Sequence, residues 1–523
     1  MIYFKLSPTI PNYDINKITF CVCFSLISIS SKFVSFMLIL GPDGPGDAID
    51  VYLQPLINEL EDLWNNGVET YDASKRQNFN LHASLMWTIN DFPAYGILSG
   101  WSTKGKLACP VCNKDTHSLR LVNGGKECFM GHRRYLESNH RWRRDKMLFD
   151  GTIEKGTPPK PVTGEEILHQ VQDLEDIILS KDPAFKGKIS HKNRQDNWNK
   201  KSIFFWLPYW KHHLIRHTLD VMHIEKNICD SILGTLLNVP NKTKDNYKSR
   251  LDLQEMGIRP ELHPITNGHN ILLPDAHFTL SREGKRKFCK FLKHLKVPDG
   301  FASNISQCVN LKESKISGLK SHDHHILLHH ILPLALRGLL PEDVYEPLLE
   351  LSIFFKDLGS KHLNMEDLRC LEAQIPITLC KLEKIFPPSF FDVMLHLPVH
   401  LAHEAMLCGP VHSHWMYPVE RNLYTLKSYI RNMARPEGSI AEGYIAEECM
   451  NFCSRYLHKT ETKFNRLDRN YDDDVNVSAE LSSFYYKGRG LGSGQTRDLD
   501  ANELEQAHMY VLNNFEEVQP FLE

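Results

Sequence analysis

Apolar positions along this chain repeat at two periods, and the changes between them mark its organisation. Residues 33–40 (Phe-Val-Ser-Phe-Met-Leu-Ile-Leu) form a compact apolar run of strand length, closed by a Gly-Pro-Asp-Gly-Pro-Gly turn at 41–46. The period then becomes helical. Ile49, Leu53, Leu56, Ile57, Leu60 and Leu63 recur on one face and predict a helix over 47–65, with Asp47 able to cap it and Pro55 inside it. A second apolar run, Leu85-Met-Trp-Thr-Ile-Asn-Asp91, predicts a strand over 82–91 that ends on a carboxylate. Strand, helix and strand in that order make an α/β unit.

Farther along, residues 153–200 are polar and proline-bearing and read as a linker followed by a short helix over 165–179. The aromatic segment 204–210 leads into Asp220-Val-Met-His223 and a helix over 224–237. From about 280 to 460 the pattern is almost wholly helical, with helices expected over 322–340, 348–358, 368–386, 394–408, 420–432 and 440–456. Beyond 463 the chain turns polar, with Asp472-Asp-Asp474 and a Gly/Ser stretch at 488–494, so partial disorder is expected apart from a helix over 502–515. No internal repeat is visible.

Composition narrows the classes. Hydrophobic residues at 42% and charged residues at 24% belong to a soluble globular chain with ample core material. The net charge of −3 excludes a polycation, so nucleic acid would have to be met by local basic surface. Thirteen scattered cysteines show no small disulfide framework and favour a reducing compartment. Residues 18–40 are long enough to span a bilayer, but Lys32 and a Ser-rich middle interrupt them. Poor basicity and the lack of a cleavage site argue against a signal peptide, and one or two buried strands are the preferred reading.

Asp91, at a strand end, is placed to hold a divalent cation, although a turn carboxylate there is common. Cys109-Pro-Val-Cys112 followed by His132 and His140 has the ligand set for a tetrahedral zinc knuckle, with Cys128 able to replace one histidine. Around it lie Arg133, Arg134, Arg141, Arg143 and Arg144 for phosphates, and Trp142 to stack on a base. His322, His324, His325, His329 and His330 look ligand-like as a cluster, but the i, i+3 and i+7 spacing of His322, His325 and His329 also fits an ordinary solvated helix face, and a structural role is the preferred reading.

Several runs together resemble the transposase of plant CACTA-type (En/Spm) DNA transposons. They are Met86-Trp-Thr-Ile-Asn-Asp-Phe-Pro-Ala-Tyr-Gly96, Leu98-Ser-Gly-Trp-Ser-Thr-Lys-Gly105, Cys109-Pro-Val-Cys112, Gly131-His-Arg-Arg-Tyr-Leu136 and His217-Thr-Leu-Asp-Val-Met-His-Ile-Glu-Lys-Asn227. Leu397-Pro-Val-His-Leu401, Met416-Tyr-Pro-Val-Glu-Arg421 and Pro436-Glu-Gly-Ser-Ile-Ala-Glu442 resemble the uncharacterised helical domain that follows the core in such elements. The resemblance implies an RNase H-like fold in which three carboxylates hold two Mg or Mn ions for strand cleavage and transfer on transposon ends. Asp91 would be the second carboxylate, and Asp220-x-x-His223 the metal-associated signature between the second and third. Glu420 is the first choice for the third carboxylate and Glu225 the runner-up.

The first carboxylate of that family sits in an Asp-Gly motif. Residues 1–32 show no such motif, and Asp14 is followed by Ile15. The expected fold class is therefore α/β, an incomplete RNase H-like core with a zinc-knuckle-like insertion, followed by a mainly α-helical C-terminal region. Four regions are expected: a partial core with the knuckle over 33–150, a linker and continuation over 151–270, a helical domain over 280–460, and a polar tail over 463–523. The expected function is that of a transposase-derived remnant, catalytically defective and truncated at its N-terminus. The alternative is a non-catalytic zinc-stabilised module binding nucleic acid or protein. DNA, self-association, a nuclear location and no membrane complete the expectations, all resting on the resemblance.

Overall fold

The computed structural model describes residues 46–174, 197–267, 270–297, 301–457, 460–464 and 498–514, together with the strands β1 (Ile2–Phe4), β2 (Ile18–Phe24) and β3 (Val34–Leu40). Two further strands, β4 (Thr88–Asn90) and β5 (His217–Leu219), complete a five-stranded sheet of order β3-β2-β1-β4-β5. The first three strands are antiparallel neighbours, while β4 runs parallel to both β1 and β5. Register is fixed residue by residue, with Asn90 opposite Phe4 on one side and Leu219 on the other.

Two expectations change at this point. The apolar stretch 18–40 is two strands rather than one span, as preferred, and among the described residues no helix is long and apolar enough to cross a membrane. The region before residue 33 is not foreign to the core, because β1 and β2 occupy the middle of the sheet. Asp14 lies outside the described residues, as do 175–179 of the expected short helix and the tail segments 472–474 and 488–494.

Helix α1 (Ile49–Asn65) begins two residues later than expected, with Ala48 rather than Asp47 at the N-cap, and keeps Pro55 inside it. Its buried stripe of Ile49, Leu53, Leu56, Ile57 and Leu60 packs on Phe204, Leu207 and Trp210 of the aromatic segment. Only Thr88–Asn90 of the expected 82–91 strand is laddered, because its partners β1 and β5 are each three residues long. Leu85 just before it turns instead to the Tyr209 hydroxyl, 3.0 Å away. Helix α2 (Phe92–Ser99) follows and ends at Gly100. That glycine has φ +83°, and a Cβ there would stand 2.3 Å from the Lys200 carbonyl oxygen, so no other residue fits without moving the backbone.

After β5 the chain is mainly helical, as expected. Helix α3 (Val221–Leu236) is followed by a helical segment that is α at Ser321–Ile326, π at Leu327–Ile331 and α again at Leu332–Leu336. Helices α4 (Glu342–Leu358), α5 (Met365–Ile385), α6 (Pro398–Cys408) and α7 (Tyr417–Ser428) come next, with α5 packed between α4 and α6. One continuous apolar core runs from Cys109 and Cys112 through Ile228, Phe288, Leu351 and Leu379 to Leu401. The chain forms two compact units, Met1–Tyr444 and Ile445–Glu523, and the second contains the helix Ala501–Asn514.

The Lys200 ammonium lies 2.5 Å from Asp50 at the start of α1, both side chains almost fully buried. Asp50→Ala leaves a buried ammonium without its main counter-charge, and a loss of about 3–5 kcal/mol is expected. Urea unfolding against a conservative surface variant such as Glu59→Ala measures it.

Candidate functional site

Strands β4 and β5 end in the same local grammar. Asp91 follows β4 and caps α2, its Oδ1 accepting from the Ala94 amide at 2.9 Å. Asp220 follows β5 and caps α3, its Oδ1 accepting from the Met222 amide at 3.2 Å and the Met416 amide at 3.1 Å. Because Asn90 and Leu219 are in register on parallel neighbours, the two carboxylates emerge side by side at the same sheet edge. Each sits at a helix N-terminus, where the peptide dipoles favour negative charge. Helix α7 brings Glu420 to them from its first turn, half-buried.

The electrostatics show that these groups interact. Burial pushes the Asp220 carboxyl well above the ordinary carboxylate range, and the negative charges of Asp91 and Glu420 push it further, against the opposing amides of Met416 and Met222. Its second oxygen, Oδ2, is buried and has no hydrogen-bond partner. Tyr417 stands among the same acids, its phenol raised by burial and then by Glu225, Asp220 and Glu420. The other candidate third acid, Glu225, faces elsewhere. Its two oxygens lie 2.8 Å from His325 Nδ1 and 2.7 Å from His329 Nε2. Burial alone would raise the Glu225 carboxyl, but the two histidines outweigh it and hold it below the ordinary range. The reading of His325 and His329 as a solvated helix face is thus overturned. His329 is buried on the π turn and, with His325, closes on Glu225. His223 is half-buried on α3, next to this region in sequence.

The knuckle differs from expectation in its histidines. Cys109 and Cys112 share a tight turn, with the Cys112 amide 3.4 Å from Cys109 Sγ and Asn113 at φ +53°. The imidazoles that reach the thiols are His396 and His400. Cys112 Sγ is 3.2 Å from each Nε2, Cys109 Sγ is 3.4 Å from His400 Nε2, and the two Nε2 atoms are 3.3 Å apart. His132 instead lies behind His396, stacked on it at 5.6 Å, with Nδ1 held 2.7 Å from the buried Glu383 carboxylate. His140 caps the short turn that follows it, its ring nitrogen accepting from the Trp142 amide. Cys128 is buried on its hairpin, its thiol pushed up to about 12 chiefly by burial, and does not join the four. The missed signal was His396-x-x-x-His400, a one-turn pair. Leu397 keeps helical dihedrals between them (φ −56°, ψ −30°), so both rings share one face.

The arginine cluster is also partly rewritten. Arg133 is fully buried, paired with Asp150 at 2.6 Å, bonded to the carbonyls of Trp142, Asp145 and Thr152, and stacked over Phe149. Arg143 is buried on the carbonyls of Arg133, Arg134, Leu136 and Gly156. These two staple a loop that has little regular secondary structure to satisfy its carbonyls, and they cannot reach phosphate. Arg134 is half-buried beside Glu154, and Trp142 packs against Phe149 and Lys384. Arg141 and Arg144 remain exposed.

One further residue, Glu404 on α6, was not anticipated. Its buried carboxylate accepts from the Leu219 amide at 2.7 Å, fixing the residue just before Asp220.

Residues 14–174 match the transposase family tnp2, and residues 358–471 match a domain of unknown function, DUF4218. Each match covers less than half of the chain, and together they indicate a transposase-type region followed by a second domain. The first begins at residue 14, inside the stretch 1–32 that shows no Asp-Gly motif. No curated protein and no solved structure matches this chain.

Two outcomes follow from these side chains. Arg133→Ala, which leaves the buried Asp150 without its counter-charge and removes a donor from three carbonyls, should cost about 3–5 kcal/mol, whereas Arg141→Ala and Arg144→Ala should stay within about 0.5 kcal/mol of wild type in the same denaturant titration. Burial raises Glu404 from 4.5 to about 8, against the opposing Leu219 amide. The folded chain therefore holds this proton between those values while the unfolded chain releases it. The contribution is complete below pH 4.5 and lost as pH rises toward 8. Glu404→Gln should consequently gain stability relative to wild type between pH 5 and pH 8, measured by urea unfolding at both.

Proposed function

We propose that this chain is a transposon-derived, DNA-acting protein of the CACTA type, built on an RNase H-like sheet and carrying an acidic metal site with little strand-cleaving activity. The observation that carries the reading is the meeting of Asp91, Asp220 and Glu420 from two parallel strand ends and a helix, with one buried Asp220 oxygen unpartnered. The antiparallel β1–β3 unit extended by parallel β4 and β5 supports the RNase H-like assignment.

On this reading these carboxylates hold a hard divalent cation such as Mg or Mn, since buried anions with oxygen donors are what such an ion relieves. Their oxygens would have to draw together around it, because they do not all stand within 4.8 Å of one another as the donor atoms of the Cys109 and Glu225 clusters do. When bound, the cation would activate the attacking hydroxyl and stabilise the departing oxygen of a phosphodiester. Asp91 and Asp220 would hold it at the sheet edge, and Glu420 would close the site from α7. Amides of Ala94, Met222 and Met416 keep the two aspartates oriented. Tyr417 and the His-paired Glu225 wall the site on the side of the helical region.

Weak activity is proposed because β1 (Ile-Tyr-Phe), the strand beside β4, has no carboxylate in the register opposite Thr88–Asn90. With no acid from the central strand, two-metal transfer loses one of its bridging ligands. The burial of Arg133 and Arg143 disfavours the alternative in which the arginine cluster of the knuckle is the main nucleic-acid surface. A DNA-acting protein of this kind would work in the nucleus.

The test pairs binding with chemistry. Mn²⁺ at a hundredfold excess over its Kd should stabilise wild type by about 2.7 kcal/mol, and Asp220→Asn with Asp91→Asn should remove that gain. Cleavage or joining of terminal-repeat DNA should stay near background. Absence of any cation effect would sink the carboxylate site, and strong cleavage abolished by Asp91→Ala would sink the inactivity.

A further inference from the structure

We propose that Cys109, Cys112, His396 and His400 form a zinc clasp that joins the tnp2-matched segment to the DUF4218-matched segment. The thiols come from residues 14–174 and the imidazoles from residues 358–471, with Cys112 and His396 standing 284 positions apart in the chain.

Donor chemistry and distance both point to the ion. Zinc bonds of about 2.3 Å to sulfur and 2.0–2.1 Å to nitrogen, set tetrahedrally, separate S from N by about 3.5 Å and N from N by about 3.4 Å. Three of the four S-to-N separations here are 3.2–3.4 Å, the Cys109–His396 pair lies within 4.8 Å, and the N-to-N separation is 3.3 Å. Three of the four residues are buried and the fourth is half-buried, and all four donor atoms lie within 4.8 Å of one another. Two imidazole nitrogens aimed at each other and at two thiols have few protons to share, so a cation satisfies all four better than hydrogen bonds do.

The second cluster provides the internal contrast. Around Glu225 the oxygen-to-nitrogen distances are 2.7 and 2.8 Å, ordinary for charge-assisted hydrogen bonds. That cluster is complete without metal. Surrounding groups hold the tetrad in place. His132 and Phe129 stack on the His396 ring, and the Tyr135 hydroxyl lies 3.6 Å from Cys112 Sγ.

The clasp also reaches the acidic site. His396, His400 and Glu404 recur at i, i+4 and i+8, so one stripe carries two zinc ligands and then the carboxylate that fixes Leu219 beside Asp220. Zinc would set the axial position of α6, and α6 would set the end of β5.

Metal analysis of the purified full chain should find one zinc per chain. Cobalt-substituted wild type should show the intense visible bands of a tetrahedral site, with thiolate charge-transfer in the near ultraviolet. His400→Cys should keep the metal and strengthen that charge-transfer band. Cys109→Ser with Cys112→Ser, and separately His396→Ala with His400→Ala, should lose it, while His140→Ala and Cys128→Ser should retain it. Wild type without stoichiometric zinc and without a tetrahedral cobalt spectrum would overturn the clasp. So would zinc that survives loss of both His396 and His400, or that is lost with His140. Cobalt spectra of the folded wild-type chain give the answer even where a cysteine variant fails to fold.

Discussion

The arrangement of this molecule depends on one face of α6. Two imidazoles and one carboxylate on that face meet three groups from far upstream: the Cys109/Cys112 turn and the backbone at the end of β5. Helix propensity alone gives α6 no fixed place, since a helix of eleven residues is marginal without tertiary contacts. Its position is set by groups that are costly to bury unless they are satisfied. Thiols, imidazoles and a carboxylate each demand a partner away from water, and only one docking satisfies all of them. The helical region is for this reason continuous with the α/β core, and the apolar cluster running from Cys109 to Leu401 follows from it.

The acidic site shows the opposite economy. Asp91 and Asp220 are satisfied locally by helix N-termini, so each would be stable as a plain cap. What distinguishes them is their adjacency, because parallel strands in register force two caps to share one edge. Burial first, and then the nearby charges of Asp91 and Glu420, raise the proton affinity of Asp220. A caps-only account explains each aspartate but not why three acids converge. Glu225 shows what a merely structural solution looks like in the same region. It is buried as deeply, yet it has recruited two histidines.

Much of this was readable in the sequence, for physical reasons that also mark where reading stops. The helical stripe of α1 and the Asp91 strand end are short-range patterns, and both appear close to where periodicity places them. The thiol pair was legible because a Cys-x-x-Cys turn is local. Its histidines were not, since spacing along the chain favoured His132 and His140 while the fold brought His396 and His400. His132 came near for a different purpose, stacking behind the true partner. Arg133 and Arg143 misled in a related way. A basic run looks like a phosphate surface, but a loop poor in regular structure needs donors for its carbonyls, and guanidinium supplies five. Strand β2 lay in an apolar stretch that also suited a membrane, β1 is too short to show a period, and their places come from pairing, β2 between β3 and β1 and β1 beside β4.

The first strand carries the argument furthest. In a sheet of this order, β1 lies between the antiparallel unit and β4, so its residues are the nearest neighbours of the edge from which Asp91 emerges. Ile2, Tyr3 and Phe4 pair with Thr88, Ile89 and Asn90 across that ladder, and none of the three is a carboxylate. The acids grouped in the proposed site come from the ends of β4 and β5 and from α7, all on one side of β1. On that proposal a cation would be held from that side, and β1 itself would add no ligand to it. Binding of a metal and transfer of a strand would then be separable, since the first would need only the three acids and the second a further ligand beside them.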